Sequence, residues 1–168
     1  MAKGPPPLMF PAVVAADLAL ALLPLLASGE LQPRPLSALP ADLQPLARDL
    51  QAHGFRLRIA LPPVRQAYGL FESTSRTLWL SPLSFELGIA RATFLHEATH
   101  AVQSCPNGRL TPIGWRFQLS PVVEQEISGI LTNRYHHGDR ILEQEAFGVQ
   151  GQGDAVRLLR QALRQRCL

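Results

Sequence analysis

Apolar and polar positions alternate in some segments of the chain and follow helical spacing in others, which predicts a mixture of strands and helices. The first alternating run, residues 55–61, interleaves apolar with basic side chains before Pro62-Pro63 ends it. Two further runs flank Ser73-Thr74-Ser75, an arrangement typical of a β-hairpin. Strands are therefore predicted over residues 55–61, 68–72 and 76–80.

Apolar residues at helical spacing, with capping residues at the ends, predict the remaining elements. The clearest segment is residues 89–104, which contain neither Pro nor Gly and stop at Cys105-Pro106-Asn107-Gly108. Its apolar face comprises Phe94, Leu95, Ala98, Ala101 and Val102. Further helices are predicted over residues 17–27, 43–53, 121–135, 139–150 and from Asp154 to the end of the chain. These elements indicate an α+β fold.

The helix over residues 89–104 carries a chemically specific pattern. Residues 96–100 read His-Glu-Ala-Thr-His, and positions four apart lie one turn apart on one helix face. Two imidazoles so placed can converge on one Zn²⁺, and Glu97, about 100° round the helix, can act as general base towards a water at the metal. His96 and His100 are thus the predicted ligands and Glu97 the predicted catalytic residue. The alternative is a core helix with two hydrogen-bonded histidines and a solvated glutamate.

A third ligand is expected, because catalytic zinc usually takes three protein ligands and keeps one position for water. Residues 143–146 read Glu-Gln-Glu-Ala, and with the HExxH helix they resemble the gluzincin-type metallopeptidases. In several of those families the first Glu of Glu-x-x-Ala is the third ligand, so the resemblance implies this role for Glu143. An Asp often follows there and supports a ligand histidine, whereas this chain has Phe147.

Neighbouring residues remain alternatives for the third ligand. Glu145 lies two positions further on, about 200° round the helix, so only one of the two glutamates can face the metal. The pair His136-His137 is a weaker alternative, because its surroundings look like an exposed helix end. Tyr135 or one of these histidines could instead stabilise an oxyanion.

The resemblance also implies an architecture, a minimal zincin-like domain in which a small antiparallel sheet packs on the HExxH helix and later helices supply the third ligand. On this basis residues 1–54 form a helical, proline-rich segment packed on a metal-binding domain over residues 55–168, and together they make one globular domain. A sheet edge beside the cleft can bind an extended peptide by strand addition. Residues 77–80 are the candidate for that edge, the alternative being that Trp79 and its neighbours only pack the core.

Composition and charge limit the class of protein and the kinds of partner. The chain has 168 residues and a net charge of +3, and 46% of it is hydrophobic, which fits a globular protein and excludes extensive disorder. Arg157, Arg160 and Arg164 share one helix face by spacing, but without interleaved aromatics they indicate a solvated face. We therefore expect a peptide or protein substrate and no nucleic acid. The oligomeric state stays open.

The N-terminal region bears on the compartment. Residues 8–27 are strongly apolar, as in a signal peptide or membrane anchor. Pro11, Asp17 and Pro24 are unfavourable for insertion into a membrane. A cytoplasmic protein is therefore expected, with membrane association as the less favoured alternative.

The two cysteines leave the redox state undecided. Cys105 follows the metal helix and Cys167 is the penultimate residue. They could pair if the last helix packs back, but two cysteines in a chain of this size are more often free thiols.

Taken together, these residues predict a zinc-dependent metallopeptidase. Zn²⁺ would be its cofactor and Glu97 its general base. One alternative is a zinc-binding, zincin-like domain without peptidase activity, acting as a binding or regulatory protein. The other is a metal-free helical interaction protein in which the HExxH pattern is fortuitous.

Overall fold

The computed structural model describes residues 31–133 and 140–168, and within them the chain forms three strands and six α-helices. The strands are β1 (Arg56–Ile59), β2 (Gly69–Glu72) and β3 (Thr77–Leu80). The helices are α1 (Gln44–Ala52), α2 (Leu83–Glu86), α3 (Ala90–Gln103), α4 (Pro121–Asn133), α5 (Arg140–Gln150) and α6 (Ala155–Arg166). The α+β class is confirmed.

Residues 32–168 form one compact unit, and all the elements named here belong to it. Residues 32–54, which include α1, therefore belong to the same unit as α3, the helix that carries the HExxH pattern. The helix predicted over residues 17–27 lies outside the described residues. Among those that are described, no helix is long and apolar enough to cross a membrane.

The sheet has the order β1-β3-β2 and is mixed rather than antiparallel. β2 and β3 form the predicted antiparallel hairpin, but β1 pairs with β3 in parallel. The expectation of a purely antiparallel sheet is wrong because the connection after β1 carries the chain past the position that β3 later fills. As a result β1 and β2 become the outer strands.

β3 is the central strand, so the prediction that residues 77–80 form a peptide-binding edge is wrong. Thr77, Leu78 and Leu80 are buried, and the backbone of the strand pairs on both sides. Trp79 is half-buried beneath the Arg58 guanidinium, whose central carbon lies 5.3 Å from the centroid of the indole ring. The edge strand nearest α3 is β2, which packs on that helix together with β3.

α3 lies at the centre of the unit and is covered on two sides. One side packs on the hairpin strands and the other on α5 and α6. The predicted apolar face is confirmed, since all five of its members are buried: Phe94, Leu95, Ala98, Ala101 and Val102. Burying this face fixes the direction in which the polar residues of the same helix point.

A disulfide joins Cys105 to Cys167, with their Cα atoms 5.0 Å apart. The expectation of two free thiols is therefore wrong. The cause is the packing of α6 against α3, which brings the C-terminal ends of these two helices together. Arg160 adds a second attachment for α6, because its Nε donates to Asp49 Oδ2 of α1 at 2.7 Å.

Candidate metal centre

Three side chains from two helices converge between α3 and α5. His96 and His100 lie on α3 with their Nε2 atoms 3.2 Å apart. Glu143 of α5 places Oε2 3.3 Å from His96 Nε2 and Oε1 3.6 Å from His100 Nε2. The three side chains are only 14%, 12% and 17% exposed, respectively. The structure thus brings together the two HExxH histidines and the glutamate favoured as third ligand.

The spacing of these atoms fits a zinc ion. Tetrahedral zinc binds nitrogen and oxygen at about 2.0–2.1 Å, which places neighbouring ligand atoms about 3.3 Å from one another. The two Nε2 atoms lie 3.2 Å apart, close to that value, and each of them lies 3.3–3.6 Å from a different oxygen of Glu143. Among the described residues, this is the group of His, Cys, Asp and Glu side chains whose ligand atoms could hold a metal ion.

Two glutamines orient the imidazoles. Gln150 Oε1 lies 3.1 Å from His96 Nδ1, and Gln103 Oε1 lies 2.7 Å from His100 Nδ1. An amide oxygen only accepts hydrogen bonds, so each Nδ1 donates and each neutral ring keeps its lone pair on Nε2, towards Glu143. Metal-binding histidines are commonly held in this way through their second nitrogen.

Neither glutamine was identified from the sequence, although helical spacing could have found both. Gln103 lies three residues after His100, and Gln150 lies seven residues after Glu143, so each shares a helix face with a ligand. Phe147, which stands where the resembled families often have Asp, packs its ring against His96 with centroids 4.8 Å apart. The support expected from a carboxylate therefore comes from an amide one turn further along α5.

Glu145, the alternative third ligand, points away from the histidines. It is 1% exposed, and its carboxylate accepts the backbone N–H groups of Ile113, Gly114 and Trp115 at 2.8, 2.6 and 2.9 Å. Gln103 Nε2 donates a fourth hydrogen bond at 2.9 Å. Glu145 thus anchors the segment that follows α3, and of these two glutamates only Glu143 faces the histidines.

Glu97 lies between α3 and the edge strand β2. A β-carbon built on Gly69 would be 2.7 Å from Glu97 Cγ, 2.9 Å from Glu97 Oε1 and 2.6 Å from Thr93 Cγ2. Only glycine allows the β2 backbone to come this close to the glutamate. The predicted general base is therefore confined on the sheet side of the metal helix.

Tyr135 and the pair His136-His137, weighed as an oxyanion donor and as ligands, lie outside the described residues. Comparison of the chain with protein-family models, curated proteins and solved structures found no match. Function is therefore inferred from these side chains and their geometry.

Proposed function

We propose that this protein is a zinc-dependent metallopeptidase with a zincin-like site, in which His96, His100 and Glu143 bind the metal and Glu97 is the general base. The observation that carries the proposal is the convergence of three lone-pair-bearing side chains at 3.2–3.6 Å. A divalent cation among these groups would be stabilised by all three of them. A zinc ion bound there lowers the pKa of water and polarises a carbonyl group.

Glu97 is placed to accept a proton from the attacking water. It follows His96 on the same turn of α3, at the border of the face that carries the ligands. Its carboxylate takes a proton from the attacking water and passes it to the departing amine. The close approach of the Gly69 backbone limits where the carboxylate can lie, which favours efficient proton transfer.

β2 supplies a surface for an extended peptide. Within the described part of the chain it pairs only with β3, which leaves its outer edge available for strand addition. Its first residue, Gly69, lies against Glu97, so a peptide added along this edge passes beside the general base. This assignment replaces β3, which is paired on both sides.

A zinc-binding protein without peptidase activity is the second candidate, and the environment of His96 favours it. Phe147 contacts the ring where a carboxylate is often found, and both ligand histidines donate to neutral amides. A neutral acceptor raises the basicity of an imidazole less than a carboxylate does, which weakens the electronic push on the metal.

Metal content is the first test. Purified protein should contain about one zinc per chain. His96→Ala, His100→Ala and Glu143→Ala should each lose it. His53→Ala is the matched control, because His53 lies at the end of α1 and its ring bonds the backbone oxygen of Asp49. Wild-type protein that takes up no zinc, even when the metal is added back, would refute the site.

Hydrolysis is the second test. Zinc-loaded protein should cleave members of a peptide library, and Glu97→Gln should retain zinc while losing activity by about 10²- to 10⁴-fold, the usual contribution of a general base. Unchanged turnover in this variant would exclude the proposed role of Glu97. Stoichiometric zinc without cleavage of any peptide would favour the second candidate.

A further inference from the structure

The four hydrogen bonds to Glu145 define what its two oxygens must do. Oε1 receives the N–H groups of Gly114 and Trp115, and Oε2 receives those of Ile113 and of the Gln103 amide. A backbone N–H cannot accept a hydrogen bond, so both oxygens of Glu145 must act as acceptors. The oxygen of Glu145 that faces Gln103 can therefore only accept a hydrogen bond from it.

Gln103 has only one favourable orientation next to this acceptor. Its Nε2 lies 2.9 Å from Glu145 Oε2 and 3.1 Å from the backbone oxygen of Leu142. Rotating the amide by 180° would bring its oxygen against two acceptors and lose both hydrogen bonds. The amide oxygen is thereby directed at His100 Nδ1, 2.7 Å away.

We propose that Glu145 is a positioning residue that sets the tautomer of the ligand His100 through the amide of Gln103. With the amide oxygen facing it, Nδ1 of His100 carries the hydrogen, and Nε2 keeps the lone pair that a metal needs. The reversed amide would donate to Nδ1 and move the hydrogen to Nε2, where it blocks binding. The two glutamates of α5 thus have separate tasks, Glu143 as ligand and Glu145 as the group that orients a ligand.

The same carboxylate connects His100 to the segment after α3. Three of its four donors are backbone groups of residues 113–115, and Phe117 then lies against Gly148, where a β-carbon would be 2.2 Å from the ring. Glu145 and Gly148 are one turn apart on α5 and together hold this segment. The orientation of His100 consequently depends on a segment that does not touch the metal.

The test is Glu145→Gln, which turns one acceptor oxygen into a donor. If the new NH₂ group takes the place of Oε2, it faces the NH₂ group of Gln103, and two donors then oppose each other. Rotation of the Gln103 amide by 180° relieves this conflict, because its oxygen can accept from the new NH₂ group. Two-bond ¹H–¹⁵N correlation spectra of zinc-free protein report the tautomer. We expect the Nδ1–H form of His100 in the wild type and a shift towards Nε2–H in the variant. Glu126→Gln, the same change at an exposed position of α4, should alter nothing.

Zinc affinity, which rests on the proposed metal site, gives a second readout. It should fall by about 10- to 100-fold in Glu145→Gln, as is usual when the partner of a ligand histidine is altered. The His100 tautomer is measured without zinc, so the proposed metal site and the proposed role of Glu145 can be refuted separately. If the wild type binds no zinc but its His100 tautomer still differs from that of Glu145→Gln, the metal site alone is refuted. An unchanged Nδ1–H tautomer in folded Glu145→Gln would overturn the present inference.

Gln103→Met provides an independent check, including the case in which Glu145→Gln does not fold. This substitution removes the amide and leaves Glu145 its three backbone donors. We expect a mixture of His100 tautomers, and adding Glu145→Gln should change that mixture no further, because its effect passes through Gln103. Retention of pure Nδ1–H in Gln103→Met would contradict the role of the amide.

Discussion

Gly69→Ala should disable the general base while leaving the metal in place. The new β-carbon would lie 2.7 Å from Glu97 Cγ, whereas ordinary contacts begin at 3.4 Å. The glutamate must therefore retreat by roughly 0.7 Å, and misplacements of about 1 Å can cost on the order of 100-fold in rate. We expect kcat to fall by about 10- to 100-fold, less than the loss from removing the base altogether.

The assay compares kcat on a peptide that the wild type cleaves, with zinc content measured on the same samples. Zinc should stay at the wild-type level, because the atoms nearest to the new β-carbon belong to Thr93 and Glu97. Overpacking also costs stability, about 1–3 kcal/mol, so rates must be normalised to the folded fraction from urea titration. Gly129→Ala is the matched control, since nothing lies within 4 Å of a β-carbon there.

Two results would refute this reasoning. If Gly69→Ala turns over substrate at the wild-type rate with full zinc, the close approach of β2 does not position Glu97. If the variant loses zinc as well, the contact supports the ligand set and has no selective effect on the base.

Three further outcomes are expected. Replacing Cys105 and Cys167 by Ser should lower the free energy of unfolding by about 4 kcal/mol in urea titrations, because the disulfide closes a loop with a sequence separation of 62; a loss below about 1 kcal/mol would contradict the entropic argument. Gly148→Ala should destabilise the protein by about 1–3 kcal/mol, since its β-carbon would meet the Phe117 ring at 2.2 Å, and unchanged stability would show that the ring can move aside freely. Zinc at a hundredfold excess over its Kd should stabilise the fold by about 2.7 kcal/mol, and an unchanged Tm after chelation would argue for the metal-free interaction protein.

Local patterns predicted the parts of the site that depend on one helix. The i, i+4 spacing of His96 and His100 places both rings on one face of α3, and the predicted apolar residues of the same helix are buried. The structure brings Glu143 to these histidines, as the resemblance to gluzincins implied. The angle of about 200° between Glu143 and Glu145 round the helix correctly indicated that only one of them could face the histidines. The backbone donors that surround Glu145 could not be predicted in this way, because they come from a distant segment.

Features that depend on pairing between distant segments were not predictable in the same way. Period-two alternation identifies a strand, yet it does not give the order of strands, so the central position of β3 was missed. The disulfide likewise depends on how α6 packs on α3.

The disulfide also limits how far Glu143, the proposed third ligand, can move from the two histidines. Glu143 lies inside the covalent loop between Cys105 and Cys167, whereas the two histidines lie just before it on α3. If α5 opens locally, Glu143 remains tethered from both ends beside the histidine pair, and its effective concentration at the site stays high. Metal exchange at the proposed site would then need only a partial opening of α5, after which the proposed ligands reassemble.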